Sequence, residues 1–97
     1  MRIIAKSTLR EFWDKRPDCK EQLKAWHRDV KAADWRSPPE VKAQFGNASI
    51  LKNGRVVFNI CGNKYRLITW INFDFKVVYI RFIGAHKEYD RVNAETI

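Results

Sequence analysis

The chain has 97 residues, 45% of them hydrophobic, and a formal net charge of +8 from 19 Lys and Arg against 11 Asp and Glu. That length holds one core and no second module, so residues 1–97 are expected to form a single domain, and the apolar share excludes a disordered chain. No apolar run approaches the ~20 residues of a membrane helix, and Met1–Lys6 shows no export signal, so a cytoplasmic protein without membrane contact is expected, its basic excess favouring polyanionic partners.

In chain order, residues 2–5 (RIIA) fit a short first strand. Ser7 offers a hydroxyl cap, and Leu9, Phe12 and Trp13 follow on one helical face. Pro17 interrupts that helix or starts the next. From Pro17 to Ala33, Cys19, Leu23, Trp26 and Val30 recur at spacings of four, three and four, which predicts an amphipathic helix with one packed stripe. Trp26 and Trp35 are therefore assigned to packing surfaces. Ser37-Pro38-Pro39-Glu40 sets a cap residue, a first-turn proline and an acid in order, predicting a short helix to about Gln44 that Gly46-Asn47 closes.

The second half changes period. Arg55–Cys61 (RVVFNIC) alternates, Gly62-Asn63 reads as a two-residue turn, and Lys64–Phe73 (KYRLITWINF) alternates again. That hairpin sets Asn59 opposite Arg66, Phe58 opposite Leu67, Ile60 opposite Tyr65, Val56 opposite Thr69 and Cys61 opposite Lys64. One face is then apolar and takes the helices. The other collects Arg55, Asn59, Lys64 and Arg66, with Trp70 at its far end. Asp74-Phe75 is the expected next turn, leading into Val77–Ile83 (VVYIRFI). Uninterrupted alternation would put Val78, Ile80 and Phe82 on the apolar face and Tyr79 and Arg81 on the basic one.

Between Phe45 and Phe73 the chain carries Lys52, Arg55, Lys64 and Arg66 but no acid, a one-sign stretch suited to phosphate. Beyond the last strand, Gly84–Asp90 (GAHKEYD) brings an imidazole, an ammonium, a phenol and two carboxylates beside that face. Cleaving RNA through its 2′-hydroxyl needs a proton acceptor, charge stabilisation at phosphorus and a proton for the departing 5′-oxygen. His86 suits proton transfer because an imidazole exchanges protons near neutrality. Arg66 suits charge stabilisation, since a planar guanidinium donates two hydrogen bonds to phosphate. Tyr89 can orient the hydroxyl, stack on a base or move a proton. Lys52, Arg55, Asn59, Lys64, Arg81 and Lys87 are the candidate RNA contacts. Cys19, Cys61, His27 and His86 lie at no metal-binding spacing, so no metal and no cofactor is expected.

FNICGNKYRLI at 58–68 and YIRFIGAHKEYD at 79–90 resemble HigB-type toxins of bacterial toxin–antitoxin systems, a branch of the RelE-like superfamily. The likeness also takes in the helical first half, with its Pro-rich step at 37–39. It implies an α+β, RelE-like fold: an N-terminal strand and two to three helices packed on one face of a small antiparallel sheet. It further implies a ribosome-dependent endonuclease acting on translated messenger RNA without a metal. The implied partner is a HigA-type helix-turn-helix antitoxin, and operator DNA is engaged only through the complex with it. By the same resemblance, Arg66 in KYRL matches the arginine of the mid-sheet, His86 falls near the phosphate-contacting or proton-transferring position, and Tyr89 matches a C-terminal aromatic loosely. An antitoxin segment wrapped around the toxin would let Trp13 or Trp35 serve as interface instead of core.

Two other readings compete. A non-catalytic RNA- or ribosome-binding module explains the basic face but leaves His86 and Tyr89 beside Arg66 without a reason. A ParE-like toxin acting on a protein target shares the fold, but that branch lacks the HKEYD nuclease residues. A DNA-binding regulator is disfavoured, because no pair of helices reads as helix-turn-helix.

Overall fold

The computed structural model describes all of residues 1–97. Strand β1 (Arg2–Ile4) is followed by helices α1 (Lys6–Lys15), α2 (Lys20–Ala32) and α3 (Pro38–Gln44), then strands β2 (Ser49–Ile50), β3 (Arg55–Ile60), β4 (Tyr65–Asn72) and β5 (Val77–Ala85), and the short helix α4 (His86–Tyr89). The five strands form one sheet in the order β1-β5-β4-β3-β2. Only the β1–β5 pair is parallel; the others are antiparallel. This is the expected α+β arrangement, with a two-residue edge strand, β2, that the sequence pattern did not announce.

The helices cover one face and bury the residues their periodicity selects. Leu9 and Trp13 come from α1, Leu23, Trp26 and Val30 from α2, and Val41 from α3. They meet Val56, Phe58 and Ile60 of β3, Leu67 and Ile71 of β4, and Val78 of β5. Burying each large apolar side chain contributes about 1.5–3 kcal/mol. Phe58 is the hub: Trp26 and Phe45 approach its ring edge-on at 5.3 and 5.1 Å between centroids. Trp13 and Trp35 are 6% and 3% exposed, so both are core, which decides between the two roles left open for them.

Helix starts differ in detail from the sequence pattern. Ser7 lies inside α1, whose cap is Ala5 without a side-chain bond. Residues Pro17–Cys19 form a 3-10 turn before α2 instead of its first α-turn. At α3, Ser37 is the N-cap residue as expected, but its hydroxyl donates to Glu40 at 3.3 Å instead of accepting a cap bond, and Glu40 also accepts the Arg36 N–H at 3.0 Å.

The β3–β4 register is the one the sequence sets: Asn59 opposite Arg66, Phe58 opposite Leu67, Ile60 opposite Tyr65 and Val56 opposite Thr69. The connection is longer than two residues. Cys61 and Gly62 both take positive φ, and the Lys64 N–H donates to the Cys61 carbonyl at 3.2 Å. Cys61 is held in that uncommon conformation by Gln22, whose side-chain oxygen accepts its N–H at 2.6 Å. Lys64 is thereby freed from the strand. Its ammonium pairs with Asp18 at 2.6 Å, and the same carboxylate accepts the Tyr65 hydroxyl at 3.1 Å. The pairing lowers Asp18 and raises Lys64 from their ordinary pKa values, while burial, then Asp18, raises Tyr65.

The β4–β5 register holds a correction. Ile68 pairs with Phe82 and Thr69 with Ile80, so Arg81 is an extra, bulged residue. Alternation therefore breaks at Arg81. Tyr79 faces away from the helices as expected, and Val78 and Ile80 face them. Phe82, however, changes sides to join Ile68, and Ile83 takes the place next to the helix-side core.

Candidate active site

On the sheet face away from α1 and α2, Arg66 occupies the middle strand between Asn59 of β3 and Gly84 of β5. Its Nη1 donates to Asn59 Oδ1 at 2.6 Å and to Asn63 Oδ1 at 3.3 Å. These bonds aim a half-buried guanidinium over the Tyr89 ring, 5.8 Å from its centroid. Asn59 is itself held, donating to the Asn47 carbonyl at 3.4 Å.

Gly84 brings α4 this close. A Cβ at that position would meet Phe82 Cζ at 2.7 Å and Glu88 Cβ at 3.2 Å. Glu88 in turn accepts the Ala85 N–H at 3.0 Å, satisfying a donor at the start of α4. The turn so fixed presents His86 and Tyr89 together, ring centroids 6.3 Å apart. His86 Nδ1 lies 3.3 Å from Asp90 Oδ2, a carboxylate placed to orient the imidazole. The sequence Asn59, Arg66, Tyr89, His86, Asp90 is thus one contiguous patch of charge, ring and carboxylate.

The three expected catalytic residues, Arg66, His86 and Tyr89, do come together. Asp90 was seen in the sequence only as one of two nearby carboxylates. Its four-residue spacing from His86 on a helical turn was the available signal. Of the expected RNA contacts, Asn59 is in the patch, Lys87 is exposed on α4, and Lys52 is exposed in the turn before β3. Lys64 leaves this face for its ion pair with Asp18. Arg55 and Arg81 sit further along the same face and converge on one oxygen of the chain's last residue. Level with Arg55 on the neighbouring strands, Trp70 stacks on Tyr79 at 4.9 Å, and the Arg55 guanidinium lies 5.9 Å from the Trp70 ring.

This face is less open than the sequence pattern implies. Val57 and Ile68, paired with each other and pointing away from the helices, are 2% and 0% exposed. No three of the chain's His, Cys, Asp and Glu side chains gather into a cluster that could hold a metal ion.

A basic, arginine-centred sheet face with an imidazole–carboxylate pair at its rim defines a candidate for phosphodiester chemistry. The chain belongs to the HigB toxin family, described as the RelE-like toxic component of a toxin-antitoxin system, whose profile matches residues 19–92 and so spans the whole patch. Membership in such a family implies an antitoxin partner. The chain is 33% identical over 94 residues, 95% of its own length and 91% of the other's, to the mRNA interferase HigB of Escherichia coli O6:H1. It is 30% identical over 92 residues, 93% of its length and 88% of the other's, to the mRNA interferase HigB of Shigella flexneri. No helix is long and apolar enough to cross a membrane.

Proposed function

We propose that this chain is an endoribonuclease that cleaves messenger RNA on the ribosome, acting as the toxin of a toxin–antitoxin pair. The observation that carries the reading is Tyr89 flanked by the Arg66 guanidinium on one side and the His86–Asp90 pair on the other. In the proposed step the 2′-oxygen attacks phosphorus and the P–O5′ bond breaks, leaving a 2′,3′-cyclic phosphate and a 5′-hydroxyl. The 2′-hydroxyl proton is taken up and a proton is delivered to the 5′-oxygen, with no metal required. Arg66 meets the charge that gathers on the non-bridging oxygens, where a fixed guanidinium is most effective. His86, steadied by Asp90, is the proton-transfer group, and Tyr89 aligns the nucleotide between them. One domain spanning residues 1–97 works in the cytoplasm. It is neutralised by a HigA-type helix-turn-helix antitoxin, and operator DNA is reached only through that complex. Relatives named mRNA interferase HigB support the substrate.

Primer extension on a translated message tests this with the wild-type chain, Arg66→Ala and His86→Ala. Cleavage within the reading frame by wild type, lost in both variants, is expected. An intact message with wild type overturns the function. Full cleavage by both variants overturns the residue assignment.

A further inference from the structure

Arg55 and Arg81 reach across the sheet from β3 and β5 to the same acceptor. Arg55 Nη2 donates to the main-chain oxygen of Ile97 at 2.9 Å, and Arg81 Nε donates to it at 3.3 Å. Two guanidiniums repel one another, so their convergence marks a point of the surface suited to negative charge. The Ile97 oxygen serves them incompletely. Arg55 Nε and Nη2 form one side of the guanidinium fork, and while Nη2 is bonded, Nε is out of reach of water and without a partner. A phosphodiester, with two anionic oxygens, fits that side of the fork and Arg81 together.

We infer that Arg55 and Arg81 form a second RNA-phosphate subsite, which the chain's own last turn fills in the free protein and which RNA takes over on binding. The inference rests on the nuclease reading of the Arg66 face. Arg55 pairs with Trp70, four positions along β4 from Arg66, which sets the two anion sites ~13 Å apart along the strand. An extended RNA strand spans that gap in a few nucleotides, so the subsite holds a phosphate flanking the scissile one. Trp70 and Tyr79, stacked on each other and level with Arg55, flank the far end of that path. Arg55 is steadied by its packing on Trp70. The covering turn is lightly held. The Asn93 carbonyl accepts the N–H groups of Thr96 and Ile97 at 3.1 and 3.0 Å, and Asn93 Oδ1 accepts that of Glu95 at 3.0 Å. An isolated turn of this kind opens at small cost compared with the sheet beneath it.

The test uses full-length chains and a labelled 2′-O-methyl oligonucleotide, which lacks the attacking hydroxyl and cannot be cleaved. Affinity is read by fluorescence anisotropy over a range of salt concentrations. Arg81→Ala should weaken binding about tenfold and reduce the slope of log affinity against log salt by about one. Arg55→Ala should do the same; because Arg55 is half-buried, exposed Arg81 carries the test if that variant does not fold. Thr96→Pro removes a bond of the covering turn and should tighten binding severalfold. Unchanged affinity and slope in Arg81→Ala overturn the subsite. Weaker binding by Thr96→Pro overturns the masking. A wild type that cleaves a translated message while Arg81→Ala binds normally sinks this inference and spares the nuclease. A wild type that leaves the message intact while Arg81→Ala binds poorly does the reverse.

Discussion

Arg66 Nη1 stands 2.6 Å from Asn59 Oδ1, so the guanidinium at the centre of the patch is aimed by an amide from the neighbouring strand. Asn59→Ala removes that aim without touching the proton-transfer pair. It should lower the cleavage rate by about ten- to a hundredfold, since a misplacement of around 1 Å suffices for such a loss. The pH profile should keep its shape, which single-turnover rates across pH will check. Arg66→Ala should lose more, about 10²–10³-fold, and Arg66→Lys should not restore it, because an ammonium cannot reproduce the planar fork.

The His86–Asp90 contact makes a separate prediction. Asp90→Asn keeps the shape but not the charge that orients the imidazole. The rate should fall by about tenfold, and His86→Gln should fall further, within the 10²–10⁴ range of a general acid or base. Cleavage assays on the two single variants and the double variant should show non-additive losses, because the residues act as a unit.

The Asp18–Lys64 pair sets a pH window on stability. Asp18 is lowered below 3.8 in the fold, so its contribution is complete above that value and fades as pH falls through the lowered one. Lys64 is raised above 10.5, so its contribution is complete below that value and is lost as pH rises beyond it. Asp18→Asn should therefore destabilise the chain across the neutral range, and the gap from wild type should close in strong acid. Urea titrations at several pH values measure this. A gap independent of pH would contradict it.

Gly54 is expected to be intolerant of any side chain. It sits at φ +77, and a Cβ there would lie 2.6 Å from the Ile71 carbonyl oxygen, a backbone atom that cannot swing aside. Gly54→Ala should cost about 1–3 kcal/mol from strain at that backbone angle, with the close contact adding to it. Gly46, whose added Cβ would meet nothing within 4 Å, is the control, and Gly46→Ala should change thermal stability little.

Much of the molecule follows from local pattern. The four-three-four spacing of Cys19, Leu23, Trp26 and Val30 places all four in the core. The β3–β4 register follows from alternation, and with it the Asn59–Arg66 pair. What alternation does not carry is the bulge at Arg81, because an extra residue leaves no trace in hydrophobicity when both of its neighbours, Ile80 and Phe82, are apolar. Lys64 was misplaced for a related reason. A loop of four residues instead of two leaves the strand pairs intact while turning that side chain toward Asp18, a partner far away in sequence. The burial of Val57 and Ile68 was illegible too, since alternation alone assigns both to the outer face of the sheet. Within the site, Arg66, His86 and Tyr89 were assigned from chemistry and resemblance, and the structure brings the three side chains to one patch.

The unpaired residue at position 81 has a larger effect than a kink. β5 serves two clients: before the bulge its even-numbered side chains feed the helix-side core, and after it the odd-numbered ones do. That change of parity decides on which side of the sheet the chain leaves β5. The same chain paired continuously, with Arg81 opposite Ile68, would keep every strand yet set Ile83 instead of Gly84 beside Arg66 and turn the chain leaving β5 toward the helix side. Arg66 and His86 would then look in opposite directions, so this protein's chemistry depends on one residue of β5 being left out of the pairing.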